Sequence, residues 1–403
     1  MKRKLKIFAA CFMALALAVG FAACGDKETG GDDNGGDNGG SGDGRITMVS
    51  RLCVDLSDDP MPMPYFVSGE EGTVEWSVDS PSVAAVTEDG TLYPVAIGTA
   101  VVTAKMGGSY AECEVEVTDY GYDSYTELST AEDVIELIES GDYAQKNKKY
   151  CLTNDIDFAG QVIQPMGGWQ SDAFKATFDG RGYALKNFRI ENPESCKTTN
   201  EDTGADEYFG VSLFPYINGG TVRNLALIGV NYTSFGFTGG IAGQLENGTI
   251  ENCFVQGVVK ADPGTSSNVP SGGICGIMGA GAVVKNCFMD LDVVGGYVFA
   301  GFNFGTGSNC VARKQSISYI AEGHEDMLFE AITTGKPGDA GLAEDAELEK
   351  FDKDNTILIE ETQLTSLRNY SFSERGSNWA IYSGYMAFVA RPDGSLPDWA
   401  KIA

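Results

Sequence analysis

Two carboxylates set two residues apart, Asp155 and Asp157, followed by a third at Asp179, are the residues best placed for chemistry in this chain. In an extended strand, side chains at i and i+2 share a face about 6.6 Å apart. That lies within the range at which paired carboxyl groups hydrolyse glycosidic bonds. The same three acids are candidate Ca2+ ligands, because hard cations take carboxylate oxygens. A plainer reading is that they fix turns by accepting backbone N–H bonds. The single histidine, His324, precedes Glu325-Asp326-Met327-Leu328, so the chain has no His-Glu-x-x-His zinc motif. No residue is assigned a catalytic role, and Ca2+ is the sole cofactor candidate.

Cys24 points to a different chemistry. Lys2, Arg3, Lys4 and Lys6 precede an apolar run over 7–23 that ends in small residues, the pattern of a secretory signal. Phe21-Ala22-Ala23-Cys24 resembles the bacterial lipobox, departing from it at Phe21, where Leu is commonest. The resemblance implies that 1–24 is a lipoprotein signal peptide and that Cys24 is acylated and becomes the new N-terminus. The protein is then exported, anchored in membrane lipid and exposed on the cell surface. Residues 25–44 (GDKETGGDDNGGDNGGSGDG) cannot bury apolar area to offset ordering entropy, and they read as a flexible tether.

Composition narrows the partners. Among 403 residues, 57 acids face 28 basic side chains, a formal charge of −29. Such a surface repels polyphosphates, so nucleic acid is excluded as a partner, and acidic polysaccharides are disfavoured. Glycine, at 52 residues and without a collagen period, signals many turns. Setting aside Cys11 and Cys24, eight of the ten cysteines remain, in a chain long enough to need no disulfide framework.

The elements that position these residues are mostly strands. Across 45–118, Val74, Trp76 and Val78 alternate with polar residues, Asp89-Gly90 is a hairpin signal, and Cys113, Val115 and Val117 share a face. Short, evenly spaced strands predict a β-sandwich. Val74-Glu75-Trp76-Ser77, Ser82-Val83-Ala84-Ala85-Val86, Glu88-Asp89-Gly90-Thr91-Leu92 and Gly98-Thr99-Ala100-Val101-Val102-Thr103-Ala104 resemble the bacterial immunoglobulin-like group 2 domain. The resemblance implies a spacer or adhesive module with Trp76 in its core. It also implies pairing of the first and last strands, which makes Cys53 and Cys113 a candidate disulfide. Residues 119–128 read as a linker.

A helix follows, with Ser129 and Glu132 as its capping box and Gly141 as its stop. Self-similarity then begins. Gly182-Tyr183-Ala184-Leu185-Lys186-Asn187-Phe188 aligns with Gly220-Thr221-Val222-Arg223-Asn224-Leu225, and then with the strings ending Asn252-Cys253 and Asn286-Cys287. One short β unit recurring at roughly 20–40 residues means a solenoid. Coils of uneven length with glycine corners predict a right-handed parallel β-helix over 129–314, with the helix as an N-terminal cap. Residues 315–403 read as a C-terminal cap. Gly239-Gly240-Ile241-Ala242-Gly243 and Gly272-Gly273-Ile274-Cys275-Gly276 resemble the GLUG repeat of bacterial surface proteins, which implies an adhesin-like role. The repeated asparagines are expected to hydrogen-bond up the stack, and Cys253 and Cys287 to be stacked core thiols.

The fold class is therefore all-β, an immunoglobulin-like sandwich followed by a parallel β-helix. β-Helices of the polygalacturonase type need Asn-Thr-Asp, Asp-Asp, Gly-His-Gly and Arg-Ile-Lys on successive coils, and the repeats lack this set; Arg189-Ile190-Glu191 is the nearest miss. The expected function is a non-enzymatic binding or adhesion module for a glycan or surface protein. The alternative is a carbohydrate-active β-helix enzyme with an unrecognised site. Solenoids bind along faces decorated by insertions. Two stand out, 191–212 and 262–271, with Tyr208, Phe209, Tyr232 and Phe235 nearby as candidate ligand contacts.

Overall fold

The computed structural model describes residues 45–48, 51–68, 72–169, 172–199, 201, 204–235, 237–261, 271–294, 296–297, 300–308 and 310–313, with 357–359, 370–371, 380–382, 385–387 and 391 beyond them. These residues lie in one compact unit, Gly42–Ala403, and are mostly strand. Cys24, the tether, His324 and most of 315–403 lie outside the described residues.

Nine strands fill the first lobe: β1 (Arg45–Met48), β2 (Arg51–Asp55), β3 (Met61–Pro62), β4 (Tyr65–Ser68), β5 (Glu75–Val78), β6 (Ala84–Val86), β7 (Thr91–Pro94), β8 (Gly98–Met106) and β9 (Ser109–Thr118). A four-stranded sheet runs β2-β9-β8-β5, a three-stranded sheet β3-β7-β6, and β1 pairs with β4. Strict alternation drives this. Ala100, Val102, Ala104 and Met106 on β8, and Cys113, Val115 and Val117 on β9, point into a shared core, while Glu112 and Glu114 face out. Gly90 must be glycine twice over. Its φ is +83°, and a Cβ there would lie 2.8 Å from the ring of Trp76, which packs half-buried against the core.

The first and last long strands do pair, β2 running parallel to β9, but the pairing excludes the expected disulfide. Cys53 lies opposite Glu116, three residues along β9 from Cys113, or about 10 Å. Cys113 points into the core, whereas Cys53 sits on the other face beside the Tyr120 hydroxyl, 3.7 Å away. A disulfide needs Cα atoms within about 7 Å and converging Cβ vectors; both cysteines are free thiols.

The second lobe opens with β10 (Thr126–Leu128) and helix α1 (Ala131–Ser140), then β11 (Lys149–Leu152), β12 (Ile156–Asp157), β13 (Thr177–Asp179), β14 (Ala184–Lys186), β15 (Lys197–Thr199) and β16 (Asp206–Tyr208). It continues through β17 (Phe214–Arg223), β18 (Ala226–Ser234), β19 (Ala242–Glu251), β20 (Phe254–Ala261), β21 (Ser271–Gly272), β22 (Cys275–Lys285), β23 (Phe288–Val294), β24 (Gly296–Tyr297), β25 (Ala300–Asn303), β26 (Thr306–Ser308), β27 (Val311–Arg313) and β28 (Ile357–Ile359). Two all-parallel sheets result. One has eight strands, β10-β11-β13-β17-β19-β22-β25 with β26 also on β22; the other has seven, β12-β14-β18-β20-β23-β27-β28. From β11 to β20 the main strands alternate between the two, and residues such as Leu227, Ile250, Val255 and Val284 fill one continuous core. Among the described residues no helix is long and apolar enough to cross a membrane.

Helix α1 starts one residue later than its sequence suggests. Thr130 is the N-cap and Asp133 completes the capping box, because the Asp133 carboxylate reaches the amides of both Ser129 and Thr130. Gly141 ends the helix at φ +68°, and Val134 and Leu137 enter the core.

The asparagines hold left-handed corners, with φ between 52° and 59° at Asn187, Asn224, Asn252 and Asn286. Asn252 donates Nδ2 to the Asn224 side-chain oxygen (3.1 Å), and Asn224 donates to Asp179 (3.0 Å). Asn187 is not part of this ladder. Registers of Asp179 with Arg223 and Lys186 with Ile228 put it at the end of β14, in the other sheet, where it donates to Asp157. Its sequence string mimics the ladder because both are a strand followed by a left-handed corner. Cys253 and Cys287 are fully buried just after their asparagines, at neighbouring positions.

Residues 119–128, read as a linker, pack closely between the two lobes. Asp179, with no exposed surface, accepts from Arg223 Nε (2.6 Å), the Tyr122 hydroxyl (2.8 Å), Asn224 and the Arg181 amide. Arg223 also donates to the Tyr125 hydroxyl (2.8 Å), and its guanidinium lies 3.6 Å from the Tyr120 ring centroid. Arg181 lies 4.4 Å from the Tyr122 ring centroid and donates to Asp58 of the first lobe (2.8 Å). The Tyr120 amide donates to Asp55 (2.7 Å). The Tyr120 and Tyr122 rings lie over the arginine planes, while the Tyr125 hydroxyl accepts from Arg223 and the Tyr122 hydroxyl donates to Asp179.

Candidate functional site: an aromatic platform

Four half-buried rings from three separate segments gather beside the second lobe. Trp169 comes from the long connection 158–176, Phe209 follows β16, and Phe235 and Phe237 follow β18. Trp169 and Phe237 stack with centroids 5.5 Å apart and planes 6° apart. Phe209 lies 6.2 Å from Trp169 at 26° and 6.3 Å from Phe237 at 31°. Phe235 meets Phe209 edge-on, at 4.9 Å and 61°. Trp169 and Phe237 thus cover part of each other's faces, Phe209 leans against both, and Phe235 meets Phe209 by its edge.

The backbone fixes each ring. The Trp169 amide donates to the Ser195 carbonyl (3.0 Å), the Phe209 amide to Cys196 (2.9 Å) and the Phe235 amide to Tyr208 (2.7 Å). Buried hydroxyls tie the flanking chains together. Ser234 donates to the Tyr208 carbonyl (2.8 Å), Ser212 to the Gly239 carbonyl (2.9 Å), and Thr238 to the Val211 carbonyl. Gly210, at φ +66°, lets the Trp169 ring lie down, since a Cβ there would come within 2.5 Å of it. Phe237 itself has φ +56°, a conformation bulky residues rarely adopt and one that concentrates at ligand sites.

The insert 191–212 that carries Phe209 is an antiparallel hairpin of β15 and β16, closed by a Lys197–Asp206 ion pair at 3.0 Å. The second insert, at 262–270, lies outside the described residues. Of the four aromatic residues marked in the sequence, Phe209 and Phe235 belong to the platform. Tyr208 packs against the core instead. Tyr232 is a correction: with Val230 and Ser234 it forms the inward face of β18 and has no exposed surface to offer a ligand. Phe237, another aromatic near the insert in the sequence, joins the cluster, and Trp169 was missed. The long interruption 158–176 between two short strands, with Gly167-Gly168 before the tryptophan, was the available signal.

The three aspartates do not converge. Asp179 is buried in the junction. Asp155 receives Arg391 Nη2 on both oxygens (2.7 and 2.8 Å) and the Ala184 amide (3.0 Å), so the cation it holds is a guanidinium, itself 5.2 Å from the Tyr183 ring centroid. Asp157 accepts from the Ala159 amide (2.8 Å) and the Asn187 amide group (3.0 Å); these bonds hold its carboxyl below the usual value. Each oxygen set is spent on protein donors, as turn-fixing acids require. Among the described residues, no three Asp, Glu, His or Cys side chains gather as a metal-binding group.

No family model matches the chain, and no curated protein matches it. Among solved structures it is similar to one described as IgA1 Protease, at 14% identity and a TM-score of 0.32, over 67% of this chain and 23% of that one. The chain thus spans about a quarter of that protein's length.

Proposed function

We propose that this chain is an exported surface lipoprotein that works as a non-enzymatic binding module, its ligand a glycan or a surface protein. In this reading Cys24 is acylated and held in membrane lipid, 45–118 is an immunoglobulin-like spacer, and the two alternating parallel sheets are faces of a right-handed parallel β-helix. The alternation of the main strands between the sheets from β11 to β20 supports the helix reading, and right-handed crossover is the rule for parallel connections. The observation that carries the function is the cluster of four half-buried aromatic rings beside the insert 191–212, fixed in place by Gly210 and by the hydrogen bonds of the chains that flank it. Rigid aromatic surface gives binding area at low entropy cost.

Full-length protein in detergent, displayed against glycan and surface-protein arrays, is expected to bind, and Trp169→Ala is expected to lose that binding without a large drop in melting temperature. Binding that survives Trp169→Ala would move the site elsewhere. Cys24→Ala is expected to release the protein from the membrane fraction; unchanged retention would overturn the anchor.

A further inference from the structure

We infer that Cys253, Cys287 and Cys310 form an oxidisable column, in which Cys287 makes a disulfide with one of the two cysteines stacked on either side of it. The oxidising setting in which the cell makes this bond rests on the exported reading above.

Register places the three thiols. Phe254 pairs with Phe288, and Phe288 with Val311, so the residues just before them, Cys253, Cys287 and Cys310, fall at one level on three neighbouring parallel strands. All three are fully buried. Neighbouring strands lie about 4.8 Å apart, and a disulfide needs Cα atoms about 4.4–6.8 Å apart. Cys287 meets this condition on both sides, and its side chain is in hydrogen-bond contact with the thiols of Cys253 and of Cys310. Cys253 and Cys310 are two strands apart, roughly 9.6 Å, beyond the reach of a disulfide. One bond is therefore possible at a time, and Cys287 is always in it. The test that excludes Cys53–Cys113 admits this column.

Position supplies the freedom to close. Each cysteine stands just ahead of its strand, and Cys253 and Cys287 directly follow the left-handed corners Asn252 and Asn286. Their thiols donate to the Glu251 and Lys285 carbonyls, at 3.3 Å each. A thiol is a weak donor, so these bonds do little to hold the sulfurs apart.

Burial decides when the bond forms. In the closed protein, burial and the adjoining Cys253 thiol hold Cys287 well above the ordinary thiol value, and the thiolate is the attacking species. The reaction therefore belongs to folding, before the strands close over the column. The oxidant is a small-molecule or protein disulfide. One cysteine thiolate attacks it and expels a thiol; the second attacks the mixed disulfide and expels the other. Two S–H bonds are lost from the chain, one S–S bond forms, and the oxidant leaves as two thiols. The product ties β23 to β20 or to β27 and closes a loop of about 20–35 residues.

The test is refolding of the full-length protein in detergent, from denaturant and reductant into reduced and oxidised glutathione, followed by a non-reducing digest and mass spectrometry. The product is expected to be about 2 Da lighter, the mass of two hydrogens, and to join the Cys287 peptide to that of Cys253 or Cys310. Its melting temperature is expected to exceed that of protein refolded in reductant, in which the three remain thiols as in the structure. Cys253→Ala is expected to keep a Cys287–Cys310 bond, and Cys310→Ala a Cys253–Cys287 bond, while Cys287→Ala keeps neither. The two neighbour variants decide the matter even where Cys287→Ala fails to fold. No loss of hydrogen in the refolded wild type, a bond that omits Cys287, or loss of the bond in both neighbour variants would overturn the inference. A bond made in glutathione but missing from protein recovered from cells supports the column and counts against export. If no bond forms in either, this inference fails, and the export reading still stands or falls on Cys24→Ala.

Discussion

Arg223 reaches back 44 residues to Asp179, its Nε 2.6 Å from a carboxylate that has no exposed surface. Only 12% of the Arg223 side chain is exposed, so this pair sits away from water at the seam between the two lobes. It is the centre of a junction in which Tyr120, Tyr122 and Tyr125 wrap two arginines. The lobes are thereby joined by bonds whose loss leaves charge stranded.

Arg223→Ala is expected to destabilise the protein by about 3–5 kcal/mol, because it abandons a buried carboxylate. Asp179→Asn combined with Arg223→Met is expected to cost less than the two changes summed. Urea denaturation of the wild type, Arg223→Ala, the two single variants of the pair and their combination checks this; a loss below about 1 kcal/mol for Arg223→Ala would mean that water reaches the seam.

The thiols are expected to be unreactive in the native state. Burial pushes Cys53 up to about 11, with the neighbouring Tyr120 hydroxyl only partly opposing it. Burial likewise lifts Cys151 and Cys196 to about 11. At pH 8 a disulfide reagent should therefore label the described cysteines slowly, and quickly once denaturant is added. A Cys53–Cys113 peptide in a non-reducing digest would contradict the β2–β9 register.

At helix α1, Thr130→Ala is expected to cost about 1 kcal/mol. Amide bonds from Ser129 and Thr130 hold the Asp133 carboxyl below its ordinary value of 3.8. Its contribution is therefore fully present above that value and lost as pH falls through the depressed one. Asp133→Asn should flatten that part of the acid limb in a stability–pH curve; an identical limb in both proteins would remove Asp133 as its source.

Asn224 separates two effects. Asn224→Gly keeps the left-handed corner (φ 52°) and loses only the bonds to Asp179 and from Asn252. Asn224→Ala loses both, and is expected to be about 1 kcal/mol less stable than the glycine variant. Equal stabilities would mean that the corner is not strained in the alanine protein.

Alternation made the strands legible, since Val230, Tyr232 and Ser234, or Cys113, Val115 and Val117, sort by parity alone. The same parity, applied to Tyr232, would have removed it from the ligand contacts. Register was less legible. Asn187 lies in a string like that of Asn224 yet falls on the other sheet, because a strand followed by a left-handed corner occurs in both sheets. The platform was half-legible. Phe209 and Phe235 stand near each other in sequence, but Trp169 joins them through a carbonyl at Ser195 that no local pattern announces. The packing of residues 119–128 was not legible for a related reason: tyrosines between glycine, aspartate and serine read as a linker until the arginines that they pack on arrive from β17 and from the turn after β13.

The parallel pairing of β2 with β9 has a mechanical consequence. Tension entering from the N-terminal side draws β2 toward its start, while the load leaves past the end of β9, into the segment that holds the Asp179 seam. The two pulls oppose each other along neighbouring strands, so the five paired positions from Arg51–Glu114 to Asp55–Thr118 resist together, in shear. An antiparallel pair loaded from one end would peel open bond by bond. The Tyr120 amide on Asp55 ties off the far end of that clamp. A tug delivered through the aromatic face would thus meet its stiffest resistance just before the chain runs back toward its start.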